Sequence, residues 1–373
     1  MDQPLQPEEA LHAAFSKQES RFARTFMLIR EAIRQRAFPG AALAVTHRGA
    51  LAVSRGFGRF TYDSQSPEVR ADTTFDLASV TKVVASTAIA MLLCERGVLS
   101  LDSPVAEVIP EFVTLAPPDR RAEREAVTVR MLLAHSSGLP AYVKLFESAR
   151  GRDELLRSAL ATPLIAHPGT KAEYSDIGFI LLGEIIARVA GAQLDVIAQR
   201  AIFVPLGMSH TCFNPPVDWE TEIPPTEDDR TFRRRIIQGE VNDENASVMD
   251  GVAGHAGLFA PATDIARFAD CMSRGGGPIL RPATVELFTR REPLPTGTSR
   301  ALGWDTPSQP SSSGTLFSPR SFGHLGFTGT SLWIDPDRRL SVTLLTNRTW
   351  PDRSSHAIKQ IRPALHDAIV EAL

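Results

Sequence analysis

Apolar side chains recur every three or four positions near the start of the chain, which is the spacing of an amphipathic helix over residues 7–36. The apolar positions are Leu11, Phe15, Phe22, Phe26, Ile29 and Ile33. Pro39-Gly40 predicts the end of this helix, and two short apolar runs follow at 41–46 and 51–56. The turn residues His47-Arg48-Gly49 between the two runs predict a pair of neighbouring strands.

Helical spacing dominates the middle of the chain, from Ser79 to about Arg200. The loops predicted within it are 110–124, 135–140 and 167–175. Residues 214–230 are rich in proline and acidic residues, which predicts an irregular crossing segment. Another helix is expected at 262–273, and Ser308–Ser313 is expected to form a mobile polar surface loop without a role in the core.

Strand patterns return near the end of the chain, at 331–334 and 340–346, with a turn at Asp335-Pro336-Asp337 between them. A last helix is expected from about residue 354 to 373. Strands at both ends with helices between them predict an α/β fold of the α+β type. The expected sheet is mainly antiparallel, is built from both chain termini and is flanked by helices.

The helices between the two groups of strands predict an inserted lobe. A chain of 373 residues is long enough for two packed units. Residues 1–75 and 245–373 are therefore assigned to a discontinuous sheet domain, and residues 76–244 to a mainly helical lobe.

Composition and charge argue against several classes of protein. Hydrophobic residues make up 43% and charged residues 22%, and the net charge of −3 gives no reason to expect nucleic acid or an anionic membrane as a partner. No apolar run approaches the ~18 residues that a membrane-spanning helix needs. Met1-Asp2-Gln3-Pro4 shows no secretory signal, so a cytoplasmic protein is expected, although a periplasmic chain that has lost its leader looks the same.

Cysteine and metal-ligand patterns give no sign of a disulfide, a metal or a cofactor. Cys94, Cys212 and Cys271 are widely separated and odd in number, which favours buried thiols in a reducing compartment. The zinc motif H-E-x-x-H is absent. The acidic pair Asp243-Glu244 and His255 could approach one another, but their spacing fits no common metal site.

The tetrapeptide Ser79-Val80-Thr81-Lys82 opens a long apolar helical run and places a hydroxyl and an amine on one helix face. Serine needs a neighbouring base to become a nucleophile, and a buried lysine can be that base, whereas arginine does not deprotonate. Asp76 is a candidate helix cap, and Arg96-Gly97 a candidate stop. The alternative is an ordinary helix turn with an exposed lysine.

Two further motifs carry candidate chemistry. Tyr174-Ser175-Asp176 precedes the apolar helix 177–190, and a nearby lysine would lower the pKa of the tyrosine and let it carry a proton. The alternative is a core tyrosine beside a helix cap formed by Ser175 or Asp176. The segment 323–329 is rich in glycine and can bring backbone N–H donors close to a ligand, with His324 able to bind a carboxylate or move a proton. The alternative is a turn with a partly exposed histidine.

In this order and at these separations, the three motifs resemble those of the class C β-lactamase and DD-peptidase superfamily of serine hydrolases. The motifs are Ser79-Val80-Thr81-Lys82, Tyr174-Ser175-Asp176 and His324-Leu325-Gly326. The resemblance extends over about residues 20–365 and includes the segments 73–78, 132–140 and 251–258. It implies a fold like that of β-lactamases and transpeptidases, with no metal and no cofactor.

The resemblance also implies a role for each site residue. Ser79 would be the acylated nucleophile, Lys82 its base, and Tyr174 the group that shares the proton and protonates the leaving group. The backbone N–H groups of Ser79 and Phe327 would form the oxyanion hole. Gly326, His324 and Asp176 would lie on the substrate side of the site.

Three departures from the family pattern narrow the expected substrate. His324 stands where many relatives have lysine, Leu325 where they have threonine, and Asp176 where they have asparagine. A neutral histidine beside leucine would hold the carboxylate of a β-lactam less well, so efficient penicillin hydrolysis is not expected. Similar histidine-containing members include esterases, D-amino-acid peptidases and amidases of cell-wall fragments. The segment 239–246 looks most like members associated with muropeptide turnover.

The sequence therefore predicts a serine hydrolase that forms an acyl-enzyme, most simply a muropeptide amidase or D-peptidase acting on a small-molecule or peptide substrate. A carboxylesterase or a weak β-lactamase of the same family is the alternative within that class. A non-catalytic ligand-binding or sensor member of the fold is the alternative of another class, since fold does not fix function. The enzyme is favoured because Ser79, Lys82 and Tyr174 are all chemically intact. The oligomeric state is left open.

Overall fold

The largest sheet in the computed structural model, which describes residues 17–373, is antiparallel and takes strands from both ends of the chain. From one edge to the other, its strands are Ala50–Gly58 (β2), Gly40–His47 (β1), Leu340–Thr346 (β10), Ser331–Asp335 (β9) and Phe322–Leu325 (β8). Strand β1, near the beginning of the chain, therefore pairs with β10, near its end, with Ala41 opposite Thr346. The fold class predicted from the sequence is confirmed.

Two smaller sheets complete the strands of the described residues. Thr74–Asp76 (β3), Leu258–Pro261 (β7) and Cys212–Phe213 (β4) form a three-stranded sheet, in that order. Glu227–Asp229 (β5) and Arg235–Ile237 (β6) pair as a short antiparallel ribbon. Strand β3 leads directly into the segment that carries Ser79, so the three-stranded sheet positions the candidate nucleophile.

The helices lie mainly between β3 and β8 in the chain. In order they are Gln18–Arg21 (α1), Ala23–Arg34 (α2), Ala88–Glu95 (α3), Val105–Val108 (α4), Glu111–Thr114 (α5), Arg121–Glu125 (α6), Val129–Leu133 (α7), Arg152–Ala161 (α8), Asp176–Ala190 (α9), Leu194–Ala198 (α10), Glu244–Val248 (α11), Ala262–Ser273 (α12), Pro282–Thr289 (α13) and Ile358–Glu371 (α14). The 3₁₀ segments are Ala78–Val80, Pro118–Arg120, Leu145–Glu147 and Val217–Glu222, and the π-helical segments are Lys82–Thr87 and Gln199–Phe203.

Helices cover both faces of the large sheet, which explains why β1 is buried over almost its whole length. On one face, Leu43 of β1 shares a core with Phe26 of α2 and Leu365 of α14. On the other face, the small side chain of Ala44 belongs to a second core with Phe268 of α12. Full burial of a side chain such as Phe26 stabilises the fold by about 1.5–3 kcal/mol relative to exposure.

Several predicted elements are confirmed within one or two residues, because their patterns are strong and local. The helix at 262–273 and the strand at 340–346 are found as predicted. The strands at 41–46, 51–56 and 331–334 are each found with slightly wider bounds. The helix after Tyr174 begins at Asp176, with the Ser175 hydroxyl accepting a hydrogen bond from the N–H of Gly178.

Other predictions of secondary structure are wrong. Residues 110–124 hold two short helices instead of a loop, because proline suits the beginning of a helix and the buried guanidinium of Arg124 donates a hydrogen bond to the Phe112 carbonyl. Residues 214–230 contain a 3₁₀ segment and strand β5, so they are not irregular throughout. The last helix begins at Ile358, four residues later than predicted.

The predictions for the N-terminal helix and for the polar loop at 308–313 also differ from the structure. The N-terminal helix is broken at Phe22, and the part of the prediction at residues 7–16 lies outside the described residues. The loop at Ser308–Ser313 does have a role in packing, since Ser313 is buried and the carbonyl of Ser312 lies 2.9 Å from Nδ1 of His366 in α14. A polar composition predicted a surface loop, but buried polar partners hold it against the core.

The cysteines and the most apolar helix lie within the folded body. Cys94, Cys212 and Cys271 are free thiols; Cys271 is buried and the other two are half-buried. The expectation that no run approaches the length of a membrane span is wrong by length and composition, since residues 78–95 are long and apolar enough to cross a bilayer. Helix α9 with the segment 194–203 passes the same test only as a pair bent by 71°. The protein buries 83% of the 78–95 stretch, as expected of a core helix. The division into a sheet domain and a lobe stays a prediction.

Candidate active site

Ser79 lies in the wall of a cavity of about 520 Å³ that is open to solvent on one side. The cavity lies between β8, the beginning of α9 and the segment before α11. The predicted site residues in its wall are Ser79, Tyr174, Asp176, His324, Gly326 and Phe327. The structure therefore brings together residues separated by more than two hundred positions in the chain, as the sequence predicted.

The backbone around Ser79 is held in an uncommon conformation. Ala78 has a positive φ of 46°, a region that non-glycine residues rarely occupy. The buried carboxylate of Asp76 accepts hydrogen bonds from the N–H groups of Ala78 and Asn242, each at 2.7 Å. Asp76 therefore fixes the backbone just before the helical run, but the prediction that it is the helix cap is wrong, since the N-cap residue is Leu77 and makes no side-chain cap hydrogen bond. A 3₁₀ turn and then a π-helical segment follow, and such irregular turns are frequent at functional sites.

Lys82 is fully buried, and its ammonium group has an acceptor for each of its three hydrogens. Nζ donates to Oγ of Ser79 at 3.0 Å, to Oδ1 of Asp176 at 2.6 Å and to the carbonyl of His255 at 3.0 Å. The alternative of an exposed lysine on a helix turn is therefore wrong. The segment 251–258, which resembled the family, supplies the carbonyl that orients Lys82.

Asp176 sets the charge of Lys82. Burial alone would lower the pKa of a lysine, but the carboxylate of Asp176 and the phenol of Tyr174 outweigh burial and raise the pKa of Lys82 above its ordinary value. Lys82 is therefore an ammonium in the resting site. Asp176 was expected on the substrate side, and it does line the cavity, but its shortest contact is the ion pair with Lys82.

Tyr174 stands beside the ammonium of Lys82, which lies 4.9 Å from the centre of its ring. Its hydroxyl faces Lys82 and Ser79. Burial raises the pKa of Tyr174 to about 12, although Lys82 acts in the opposite direction. The expected lowering of this pKa is therefore wrong, because desolvation of the phenolate outweighs the effect of the Lys82 ammonium. Tyr174 is a neutral phenol in the resting site and can donate a proton.

The segment 132–140 positions the tyrosine motif. The ring of His135 packs against that of Tyr174 with centres 4.7 Å apart, and its Nδ1 accepts a hydrogen bond from the N–H of Ser175. The His135 carbonyl accepts a hydrogen bond from the N–H of Glu173. Burial and nearby cations hold the pKa of His135 well below its ordinary value, so this ring is a neutral support.

The turn between β8 and β9 brings the backbone of Phe327 to the nucleophile. Two buried threonine hydroxyls fasten this turn to the segment before Ser79: Thr328 donates to the Asp76 carbonyl and Thr330 to the Leu77 carbonyl. The N–H of Phe327 donates no hydrogen bond among the described residues. The N–H of Ser79 lies in a first helical turn, where no intrahelical partner exists. Both amides can therefore face an oxyanion.

Gly326 makes this approach possible. A Cβ atom at this position would overlap the Thr330 hydroxyl and lie 2.5 Å from the carbonyl of Leu77. The side chain of Phe327 points outward and is 46% exposed, with the guanidinium carbon of Arg348 4.6 Å from its ring centre. Only the backbone of Phe327 thus belongs to the expected oxyanion hole.

His324 is buried at the cavity wall and is neutral. Burial and the cations Lys82 and Arg300 hold its pKa well below the ordinary value. Its Nδ1 lies 2.8 Å from the carbonyl of Leu325, and only a protonated Nδ1 can donate to a carbonyl. Nε2 therefore presents a lone pair, and it has no partner among the described residues. A neutral ring in this tautomer does not attract a carboxylate, so the expected carboxylate-binding role is not favoured.

Arg300 is a cavity residue that the sequence analysis missed. Its guanidinium carbon lies 5.5 Å from the ring centre of Tyr174. It also lies close enough to His324 and His135 to lower the pKa of both. Nothing in the local sequence marks Arg300, since it follows the turn-rich stretch 295–299 without a motif.

The opposite side of the cavity holds paired charges. Oδ1 of Asp243 lies 2.8 Å from Nε2 of His255, and Arg353 forms ion pairs with Glu244, at 3.0 Å, and with Glu227. Asp243 and His255 do approach each other, as the sequence allowed, but Glu244 is engaged with arginine. No cluster of three metal-ligating side chains occurs in residues 17–373.

Comparisons with known proteins agree on one family. The Beta-lactamase family model matches residues 27–365. A putative D-alanyl-D-alanine carboxypeptidase of Escherichia coli strain K12 is 32% identical over 333 residues, which cover 82% of this chain and 76% of that protein. An N-acetylmuramyl-L-alanine amidase of Bacillus subtilis strain 168 is 33% identical over 344 residues, covering 83% and 77%.

The solved structures show the same fold. A penicillin-binding protein homologue from Caulobacter crescentus superposes with a TM-score of 0.75 at 22% identity, over 95% of this chain and 98% of that one. Fold, site and relatives together define a serine hydrolase. The chain belongs to the Beta-lactamase family, as the motif resemblance predicted.

Proposed function

We propose that this protein hydrolyses an amide bond in a peptidoglycan-derived peptide or muropeptide through an acyl-enzyme on Ser79. The observation that carries the proposal is the contact between Oγ of Ser79 and Nζ of Lys82 at 3.0 Å, in a cavity also lined by Tyr174. Support for the substrate class comes from the two relatives, a carboxypeptidase named for D-alanyl-D-alanine and an amidase named for N-acetylmuramyl-L-alanine.

Lys82 and Tyr174 act as one proton-transfer pair in the proposed mechanism. The pair must first lose one proton, because Lys82 is an ammonium and Tyr174 a phenol in the resting site. The deprotonated pair then takes the proton of Ser79 while Oγ bonds to the substrate carbonyl carbon. The N–H groups of Ser79 and Phe327 stabilise the resulting oxyanion.

Collapse of the tetrahedral intermediate breaks the bond from carbon to the leaving nitrogen. Tyr174 gives a proton to that nitrogen, and Lys82 restores the proton to Tyr174. Water then attacks the acyl-enzyme while the deprotonated pair takes a proton from it. The pair returns that proton to Oγ of Ser79 as the bond from Oγ to the acyl carbon breaks. Each half-reaction takes up one proton and gives one back, so the pair ends the turnover in the deprotonated form in which it began.

The site argues against a dedicated β-lactamase. His324 is neutral and offers a lone pair, and Leu325 has no hydroxyl, so β8 provides neither a cation nor a donor side chain for a β-lactam carboxylate. A substrate that places its charge elsewhere in the cavity is favoured.

The test is a substrate panel with purified protein and its Ser79→Ala variant. The panel holds N-acetylmuramyl-L-alanine, an acylated D-alanyl-D-alanine, p-nitrophenyl acetate and nitrocefin. The proposal expects the highest kcat/KM on one of the two amides and no turnover by Ser79→Ala. Hydrolysis of the ester alone would favour the carboxylesterase alternative. If a folded sample hydrolyses none of the four compounds, the ligand-binding alternative is favoured. Either of these two outcomes would show that the proposed substrate is wrong.

A further inference from the structure

The guanidinium of Arg300 is the unusual charge of the catalytic cavity. Among the described residues, its side chain donates no hydrogen bond, and its ion pair with Asp305 is a long one of 3.8 Å, beyond hydrogen-bond distance. Arg353, in the same cavity, is instead held by two carboxylates. Arg300 is thus positioned at the cavity wall, and its donors are available to a ligand.

The backbone around Arg300 is well fixed. Its N–H donates to the Thr298 hydroxyl at 3.0 Å, and its carbonyl accepts a hydrogen bond from the N–H of Glu292 at 2.8 Å. The side chain is 23% exposed. A guanidinium on a fixed backbone, with unused donors and partial exposure, is suited to binding a planar anion with two parallel hydrogen bonds.

A second cavity meets the first at Arg300. This outer groove has a volume of about 360 Å³ and is lined by the segments 170–172 and 295–300, which are rich in threonine. Arg300 belongs to the walls of both cavities. Lys171, on the far side of the groove, adds a second cation, paired with Glu173 at 2.6 Å. A ligand that passes Arg300 can therefore continue into a polar groove.

The location of Arg300 assigns it to one side of the scissile bond. It lies over Tyr174, the residue proposed to protonate the leaving nitrogen, whereas the oxyanion donors lie at Phe327 and Ser79. A group held by Arg300 is therefore attached to the leaving side of the substrate. His324 offers no donor to an anion, because its Nδ1 is engaged with the Leu325 carbonyl and its Nε2 is buried.

We propose that Arg300 binds a carboxylate carried by the leaving group of the substrate and that the outer groove receives the remainder of that leaving group. The inference rests on the acyl-transfer reaction proposed above and adds the charge of the leaving group to it. An amino acid, or a peptide whose first residues carry a carboxylate, has the required chemistry. The acyl side needs no charge in this account, since Arg353 is neutralised by Glu244 and Glu227.

A pair of acetate esters tests Arg300 without depending on a peptide substrate. 4-Acetoxybenzoate has a leaving group with a carboxylate, and 4-acetoxybenzamide has the same leaving group with a neutral amide. Both give the same acetyl-enzyme, so deacylation is an internal control. The measured quantity is the ratio of kcat/KM for the two esters in each variant, in which their intrinsic difference in reactivity cancels.

The expected result is a lowered ratio in Arg300→Gln, by roughly 10- to 100-fold, because one charge-assisted interaction is lost. Arg300→Lys should restore part of the ratio, since it keeps the charge but not the planar fork. The matched control is Arg320→Gln on the outer surface, where Arg320 is 70% exposed and paired with Asp337; its ratio should equal that of the wild type.

Two other results with the esters overturn the inference. An equal fall on both esters would mean that Arg300 only supports the fold or Tyr174, and an unchanged ratio would mean that no leaving-group carboxylate reaches it. Repeating the comparison with N-acetylmuramyl-L-alanine and its carboxamide separates the two proposals. If the muramyl compounds are not cleaved while the ester ratio depends on Arg300, the proposed substrate is wrong and the carboxylate site stands. If the wild type cleaves neither ester, the ratio for the two muramyl compounds decides on Arg300, and if it cleaves none of the four compounds, the acyl-transfer reaction itself is wrong.

Discussion

The ammonium of Lys82 lies 2.6 Å from the carboxylate of Asp176, and this ion pair lies directly beside the Ser79 hydroxyl. Burial lowers the pKa of Lys82, but Asp176 and Tyr174 together outweigh burial, so the pKa is raised. The proposed base is therefore protonated at neutral pH. Activity is then expected to depend on pH through the Lys82–Tyr174 pair.

In the pH profile of kcat/KM, Asp176→Asn is expected to move the rising limb to lower pH. The wild-type limb rises as the pair loses a proton, and removal of the carboxylate lowers the pKa of Lys82, so the active form appears at lower pH. The measurement is kcat/KM against pH for p-nitrophenyl acetate. Asp176→Glu keeps the charge and should keep the limb near its wild-type position. A limb that stays in place in Asp176→Asn would show that the ion pair does not control the base.

Lys82→Ala and Tyr174→Phe are each expected to lower kcat by ~10²–10⁴-fold, with little change in substrate affinity, because each removes a proton-transfer group. Pre-steady-state acylation rates separate the chemical step from binding. Lys144→Ala is the control, since Lys144 is 64% exposed, is paired with Glu147 and does not line the cavity. A near-normal acylation rate in either site variant would refute its assigned role.

Gly326→Ala is expected to lower kcat/KM by ~10²–10³-fold, the usual cost of losing one oxyanion donor. An added Cβ overlaps the Thr330 hydroxyl and displaces the turn that carries the N–H of Phe327. Gly277→Ala provides a matched control, because a Cβ there meets no atom within 4 Å. The melting temperature of each variant must be compared as well. An active Gly326→Ala enzyme would mean that Phe327 is not an oxyanion donor.

Asp243 should contribute an acid-sensitive part of the stability. Burial opposes its charge, but His255 and the N–H of Ala246 lower its pKa to about 2, below the ordinary value of 3.8. A lowered pKa means that the contribution is complete above about pH 4 and is lost as the pH falls to about 2. Asp243→Asn should lose about 2 kcal/mol of unfolding free energy at neutral pH.

Urea unfolding of the wild type and Asp243→Asn between pH 2 and 7 checks this expectation. The difference between the two should shrink below about pH 4 and vanish near pH 2. Asp337→Asn, a change at a surface ion pair, should show no such dependence. If the difference in unfolding free energy between the wild type and Asp243→Asn stays constant with pH, Asp243 is not the source of the acid-sensitive contribution.

The part of the site that is local in sequence could be predicted. Ser79 and Lys82 are three positions apart, so helical geometry alone brings them into contact, and the structure shows the contact at 3.0 Å. Strands β1 and β10 could be predicted because their apolar positions form short runs between turn residues. The order and type of the three motifs then predicted the family and the fold.

The rest depends on residues that only folding brings together. Asp176 meets Lys82 across 94 positions and helps to raise the pKa of Lys82 against the effect of burial, whereas burial itself raises the pKa of Tyr174; no local pattern reveals either effect. Arg300 has no motif, and its importance comes only from the two cavities that meet at its side chain. The charge that the cavity selects in a substrate therefore depends on the folded structure and could not be predicted from a motif.

Covalent labelling of Ser79 tests the central claim most directly. Wild-type protein is incubated with a fluorophosphonate probe, and its intact mass is compared with that of the Ser79→Ala variant after both are shown to be folded. The account predicts one adduct on the wild type, located at Ser79 by peptide mapping, and none on Ser79→Ala. No adduct on the wild type, or an adduct that persists in Ser79→Ala, would contradict it.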